Sequence, residues 1–246
     1  EVFYKYNRQA MIICVRRYNQ TKGRKITMNG YKIVLDFEFN PIADKDARII
    51  AQHEIIEIGA VKLDPENKIC EKFQMYIKPQ YNTITPKVSE LTGIKDKTVA
   101  GCGGFSDVIN EFRIWAGEDP VRFYSWSNTD RNVLMSEIIL KLGEDSNMAD
   151  FYGRHWIDLQ RIYQRVMGFK KSMGLSNALG TLMISFKGKE HGALADAINT
   201  AEVMKVLYDS ERINDIKNNS SVTYNGNTHS TGGFTMGNLF AEQIAK

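Results

Sequence analysis

The spacing of apolar and polar positions changes character twice along the chain. Residues 31 to 39 (YKIVLDFEF) form an apolar run that ends among carboxylates, the pattern of a buried strand. Two further runs, Ile55 to Leu63 and Ile69 to Pro79, flank the turn residues Pro65-Glu66-Asn67. Together the three predict an antiparallel meander. From Pro86 the spacing becomes helical, first in a short segment through Leu91 and then across Phe105 to Trp115. A strand at Val121 to Ser125 precedes a helix over Thr129 to Leu142, and a last short strand falls at Trp156 to Leu159. Helices are predicted at 159–167, 175–183 and 192–209. Antiparallel strands followed by alternating β and α segments imply an α/β domain on a mixed sheet, with helices on both faces.

After residue 216 the segment NNSSVTYNGNTHSTGG has too few apolar residues to offset the entropy of ordering, so a flexible polar tail is expected over residues 213 to 246. Its last residues regain an apolar spacing at Phe234, Leu239, Phe240 and Ile244, which fits one short amphipathic helix. No internal repeat is present.

Composition adds limits. The hydrophobic content of 43% and charged content of 25% are those of a globular protein with a sizeable core, and 246 residues suit one domain with tails. Cys14, Cys70 and Cys102 form neither a CxxC pair nor a Cys/His cluster, which argues against a disulfide framework and a zinc site and favours a reducing, cytoplasmic setting. No apolar run approaches the roughly 18 residues of a membrane span. The net charge of +3 divides unevenly: residues 1 to 27 carry +6 and the rest −3. A basic leader on a slightly acidic body suits a nucleic-acid partner. The alternative is a solvated, poorly ordered terminus, with Met28 as a natural start.

Asp36 and Glu38 lie two apart on the first strand, so both project from one face while Phe37 and Phe39 project from the other. Ionised carboxylates in a core are costly unless paired or bound to a cation, so the pair invites a metal; a solvated strand edge is the competing reading. Asp130 opens a helix, where an acid also complements the helix dipole. Asp196 sits in the alanine-rich stretch after His191, on a helix side expected to pack closely. Alone, His191 reads as a loop histidine.

As a set these residues resemble the DEDDh exonucleases, the DnaQ-like branch of the ribonuclease H-like fold, over residues 31 to 209. The motifs are Ile33-Val34-Leu35-Asp36-Phe37-Glu38, then Asn128-Thr129-Asp130 with Leu134, then His191 with Asp196. Two landmarks outside the acids match as well, Glu54 to Val61 and Leu91-Thr92-Gly93-Ile94. Asp36-Phe37-Glu38 with Ser125-Trp126-Ser127 is most similar to the branch of KapD-like proteins and Eri-type exoribonucleases. The sequence departs from that pattern at Ser127, where glycine is usual, and at Phe39-Asn40, where many relatives have a small residue and threonine.

The resemblance implies a five-stranded mixed sheet, three antiparallel strands then parallel ones, in an exonuclease domain over residues 28 to 212. It also implies 3′→5′ hydrolysis of phosphodiesters with two Mg²⁺ or Mn²⁺ ions about 4 Å apart. Asp36, Glu38, Asp130 and Asp196 would be the ligands, with Asp36 bridging and Asp130 acting through water. His191 would be the general base, since a neutral imidazole accepts a proton at pH 7. Phe39, Asn40 and Leu91 would shape the pocket for the last nucleotides, although Phe39 and Leu91 fit a core role equally. The implied partner is single-stranded or 3′-overhanging nucleic acid, RNA ahead of DNA, with no membrane. Two alternatives remain: a DNA-directed proofreading or repair exonuclease, and a non-catalytic binding module.

Overall fold

The computed structural model describes residues 31–117, 121–144, 146–153 and 156–224; the basic leader and the apolar segment around Phe234 lie outside the described residues. The central strand β1 (Lys32–Pro41) pairs antiparallel with β2 (His53–Leu63), which pairs antiparallel with β3 (Ile69–Tyr76). On its other side β1 runs parallel to β4 (Arg122–Ser125), which pairs in parallel with β5 (Trp156–Asp158). The sheet order is β3-β2-β1-β4-β5, the five-stranded mixed sheet expected from the sequence.

Both faces of β1 are covered, which explains its continuous apolar run. Ile33, Leu35 and Phe37 pack against α4 (Phe105–Ala116) and α5 (Asn128–Leu142), meeting Ile109, Phe112, Leu134 and Ile138. Helix α4 is amphipathic, with Phe105, Val108, Ile109, Phe112 and Ala116 buried at helical spacing. Val34, on the opposite face, joins Val61 and Tyr124 under α7 (Leu159–Met167), α8 (Leu175–Thr181) and α9 (Ala193–Leu207). In α9 the residues Ala193, Ala197 and Ala201 are buried one turn apart, so the helix can settle close to the sheet. Gly59 on β2 completes that fit, because a Cβ there would stand 2.0 Å from the Leu194 nitrogen.

A bulge interrupts the β1–β2 ladder just beyond Glu38. Glu38 opposes Glu57 and Phe39 opposes Ile55, leaving Ile56 as the extra residue. The buried side chains of Glu54, Glu137 and Lys141 brace this point. Lys141 Nζ lies 3.1 Å from Glu54 Oε2 and 2.7 Å from Glu137 Oε1. Glu137 Oε2 accepts the Ile55 N–H over 2.8 Å, and Glu54 accepts from Gln80 N and Tyr81 N. Burial pushes the Glu137 carboxyl up to about 7, against the pull of Lys141.

Three short elements lacked a readable pattern, α1 (Ala47–Ile50), α3 (Asp96–Val99) and α6 (Asn147–Gly153), whereas α2 (Pro86–Thr92) matches the helical segment expected from Pro86 through Leu91. The expected polar tail needs correction over its first part. Helix α10 (Ser210–Tyr224) crosses the boundary expected at 212, with Ile213 buried and Ile216 packed on the α9 side of the core. Once that first apolar contact nucleates a turn, adding further polar residues to the helix is cheap.

Candidate active site

The carboxylates converge beside the carboxyl end of β4, over the part of β1 just beyond its last pair with β4, the side of the strand ends where open α/β sheets bind their ligands. Strand alternation aims Asp36 and Glu38 at α9, and the first turn of α9 brings Asp196 over them. One oxygen from each of these three acids lies within 4.8 Å of the others. Asp130 stands outside that trio. Its Oδ1 accepts the Phe37 N–H over 3.2 Å, just past the point where β4 stops pairing with β1. The cap of α5 is instead Ser127, whose Oγ accepts from Thr129 N. Asp130 is therefore more than a first-turn acid, because it ties the start of α5 to β1.

The electrostatics are those of acids crowded away from water. Burial, then Asp130, Asp196 and Glu38, hold the Asp36 carboxyl well above the usual carboxylate range. Burial and the neighbouring Asp196 and Glu57 push Glu38 to about 8, with Lys189 opposing. Asp130 is raised by burial to about 7, and Asp196 to about 6 against the pull of His191. A cluster of hard oxygen donors that holds its protons so firmly fits divalent cations such as Mg²⁺ or Mn²⁺, which satisfy the charge that burial leaves uncompensated.

His191 is exposed on the loop before α9 and adopts a left-handed backbone, φ 61°. Such a conformation costs a side-chain-bearing residue about 1 kcal/mol or more and persists where surroundings impose it. Here the His191 N–H donates to Asp196 Oδ2 over 3.3 Å, so the loop is tied to that acid.

The nucleotide-pocket residues divide. Leu91, on the last turn of α2, is 46% exposed. Phe39 is part of the core on the face opposite Asp36 and Glu38, packed edge-on to Phe37 and beside the His53 ring. The expected contact of Asn40 with nucleotide is corrected: its side chain is wholly buried, donating to Thr83 O and accepting from Thr85 N, each over 3.1 Å. Because Thr85 caps α2, Asn40 positions the helix that carries Leu91.

Three residues beyond the sequence-derived set belong to the site. Glu57 is buried; its Oε2 accepts the Ala193 N–H over 3.3 Å, and its Oε1 accepts Gln74 Nε2 over 2.6 Å. Asp158 caps α7 through Arg161 N, takes a backbone hydrogen bond from Asn128, and acts electrostatically on Asp130. Lys189 donates from Nζ to Thr92 O over 3.2 Å, joining the His191 loop to the end of α2. The alternation Glu57-x-Gly59-x-Val61, which puts Glu57 on the same face as the close-packing glycine, was the one available signal.

Comparison with known proteins agrees with this geometry. The exonuclease family model named for RNase T matches residues 33–204. ERI1 exoribonuclease 3 of Homo sapiens is 30% identical over 186 residues, 72% of this chain and 53% of that protein, so the chain spans about half of its relative. Cell-death related nuclease 4 superposes with TM-score 0.60 at 25% identity, covering 73% of this chain and 64% of that one. The nuclease domain of 3′hExo, a DEDDh family member solved with rAMP, shares the fold with TM-score 0.61 at 22% identity, covering 75% and 94%. With the four acids and the histidine in that family's order on that family's sheet, the chain belongs to the DEDDh exonucleases, in the Eri-type branch.

Proposed function

We propose that this chain is a 3′→5′ exonuclease that releases nucleoside 5′-monophosphates from single-stranded or 3′-overhanging RNA. The observation that carries the reading is the convergence of Asp36, Glu38 and Asp196 oxygens within 4.8 Å, with Asp130 anchored to the same strand. Asp36, Glu38 and Asp196 would hold two Mg²⁺ or Mn²⁺ ions, with Asp130 reaching them through water. Bound there, divalent ions supply activation of the attacking water and stabilisation of the leaving oxygen. A ring nitrogen of His191 takes the proton of that water, and Asp196, hydrogen-bonded to the His191 backbone, keeps the imidazole loop beside the cluster. Leu91 wedges against a terminal base, on a helix placed by Asn40.

The exoribonuclease names of the most similar relatives support RNA over DNA. Digestion of matched 5′-labelled RNA and DNA oligomers in Mg²⁺ tests the reading, since contact with the 2′-OH separates the two. The expected result is a ladder shortening from the 3′ end, faster for RNA. Faster loss of DNA would make this a DNA-directed exonuclease of the same chemistry. No shortening of either would leave a binding module.

A further inference from the structure

Beside the carboxylate cluster, on the far side of the His191 loop, a groove of about 570 Å³ runs between β3 and α9. It starts close to the catalytic face: Gln74 in its wall is hydrogen-bonded to Glu57, which opposes Glu38 across the β1–β2 ladder. Its floor is apolar, built from Ile69 on β3 and from Leu194 and Ile198 on α9. Its rim is cationic, with Lys72 on β3 and Lys187 and Lys189 on the loop leading to His191.

The charge balance of this groove opposes that of the body, which carries −3 over residues 28 to 246. The acid in its wall, Glu202, is already engaged by two lysines, Lys187 at 3.3 Å and Lys205 at 2.8 Å. Lys72 is exposed and makes no ion pair among the described residues. Lys189 is held at the loop end by Thr92 O and acts electrostatically on Glu38, so the cationic rim reaches the edge of the cluster. An apolar floor with a cationic rim suits a single-stranded nucleic acid, whose bases seek apolar surface while its phosphates seek ammonium groups. An acidic peptide would use the rim but leave the floor bare.

We propose that the β3–α9 groove holds the substrate strand on the 5′ side of the nucleotide being removed, with Lys72, Lys187 and Lys189 on its phosphates and Ile69, Leu194 and Ile198 under its bases. This rests on the nuclease reading above and assigns a second surface to the same substrate. The strand would then bend around the His191 loop, its 3′ end among the carboxylates and its upstream backbone along β3.

The test measures binding of a 5′-fluorescent single-stranded RNA 20-mer in EDTA across a salt series, for the wild type and for Lys72→Gln, Lys187→Gln and the pair together. Both lysines are exposed, and melting curves verify that each variant is folded. Each phosphate contact on a single strand releases about 0.7 counterion, so the pair should lower the slope of log affinity against log salt by about 1.4. In parallel, a photoreactive uridine placed a few nucleotides from the 3′ end should crosslink to peptides containing Leu194 or Ile198. An unchanged salt slope in the double variant, or crosslinks confined to other surfaces, overturns the groove while leaving 3′→5′ hydrolysis intact. A wild type that hydrolyses neither RNA nor DNA overturns the nuclease reading itself. Loss of acidic-peptide binding in the double variant with RNA binding retained assigns the groove to a protein partner and overturns the proposal.

Discussion

Glu57 Oε2 accepts the backbone N–H of Ala193 across 3.3 Å, although 136 positions separate the two residues. The bond holds the first turn of α9 over β2, and that turn carries Asp196 while the loop before it carries His191. Glu57 thereby sets where Asp196 and the His191 loop stand relative to Asp36 and Glu38. Its replacement by alanine is expected to lower turnover and Mn²⁺ affinity together, by about 10- to 100-fold, the usual effect of removing a residue that orients ligands. Glu57→Gln keeps an acceptor for Ala193 and should recover much of both. Equal Mn²⁺ affinity in Glu57→Ala and the wild type, measured by calorimetry, would show that α9 holds its place without this bond.

The exonuclease sheet and the four acids were legible in the sequence because each rests on a local pattern: alternation on β1, an acid opening α5, an acid among alanines on α9. What the sequence hid is what depends on pairs distant in the chain. Glu57 shares a strand face with Gly59, but its role depends on a backbone N–H 136 positions away rather than on a side chain nearby. Asn40 reads as a polar residue after the motif, yet its amide turns inward to hold Thr83 and Thr85. The start of α10 escaped notice because Ile213 and Ile216 are too few to form a periodic face until α9 lies beside them.

The two histidine-loop functions should separate by substitution. Asp196→Asn removes a carboxylate from the trio and should abolish hydrolysis along with tight metal binding, and EDTA should reproduce the loss until Mg²⁺ or Mn²⁺ is restored. His191→Ala should lower turnover by about 10²- to 10⁴-fold through loss of the base while leaving Mn²⁺ affinity near normal. Loss of Mn²⁺ binding in His191→Ala would make the imidazole a ligand instead.

Metal uptake should release protons. With Glu38 held at about 8 and Asp130 at about 7, the metal-free site retains protons at neutral pH that a cation must displace. The sign for stability follows: an acid whose carboxyl is raised on folding binds more protons folded than unfolded. The metal-free protein therefore loses stability as pH rises from the unfolded range near 4 through about 8, and Mn²⁺ restores it. Calorimetric titrations in buffers of different ionisation enthalpy should report net proton release at pH 7 that shrinks above pH 8. No buffer dependence at pH 7 would contradict the protonated cluster.

Lys141 offers a pH test remote from the chemistry. Its ammonium lies between two fully buried carboxylates, Glu54 and Glu137, at 3.1 and 2.7 Å. Replacing it with methionine keeps the volume and the packing near Tyr81 and Phe105 but strands two acids facing each other. Removing one partner of a buried ion pair costs about 3–5 kcal/mol when the charge left behind stays ionised. It need not stay ionised, because Glu137 already titrates at about 7 and loses the lysine that was lowering it. In Lys141→Met the folded carboxyl rises further above its unfolded value. Its protonated form then dominates at pH 5, and the penalty of the ionised form develops as pH climbs toward and beyond 7. Urea unfolding of Lys141→Met should accordingly show a modest deficit against the wild type at pH 5 and the full one at pH 8. Because Glu137 holds the Ile55 N–H beside the bulge that follows Glu38, turnover of the variant should fall over the same range. A deficit of equal size at both pH values would mean that Glu137 does not change its protonation between them.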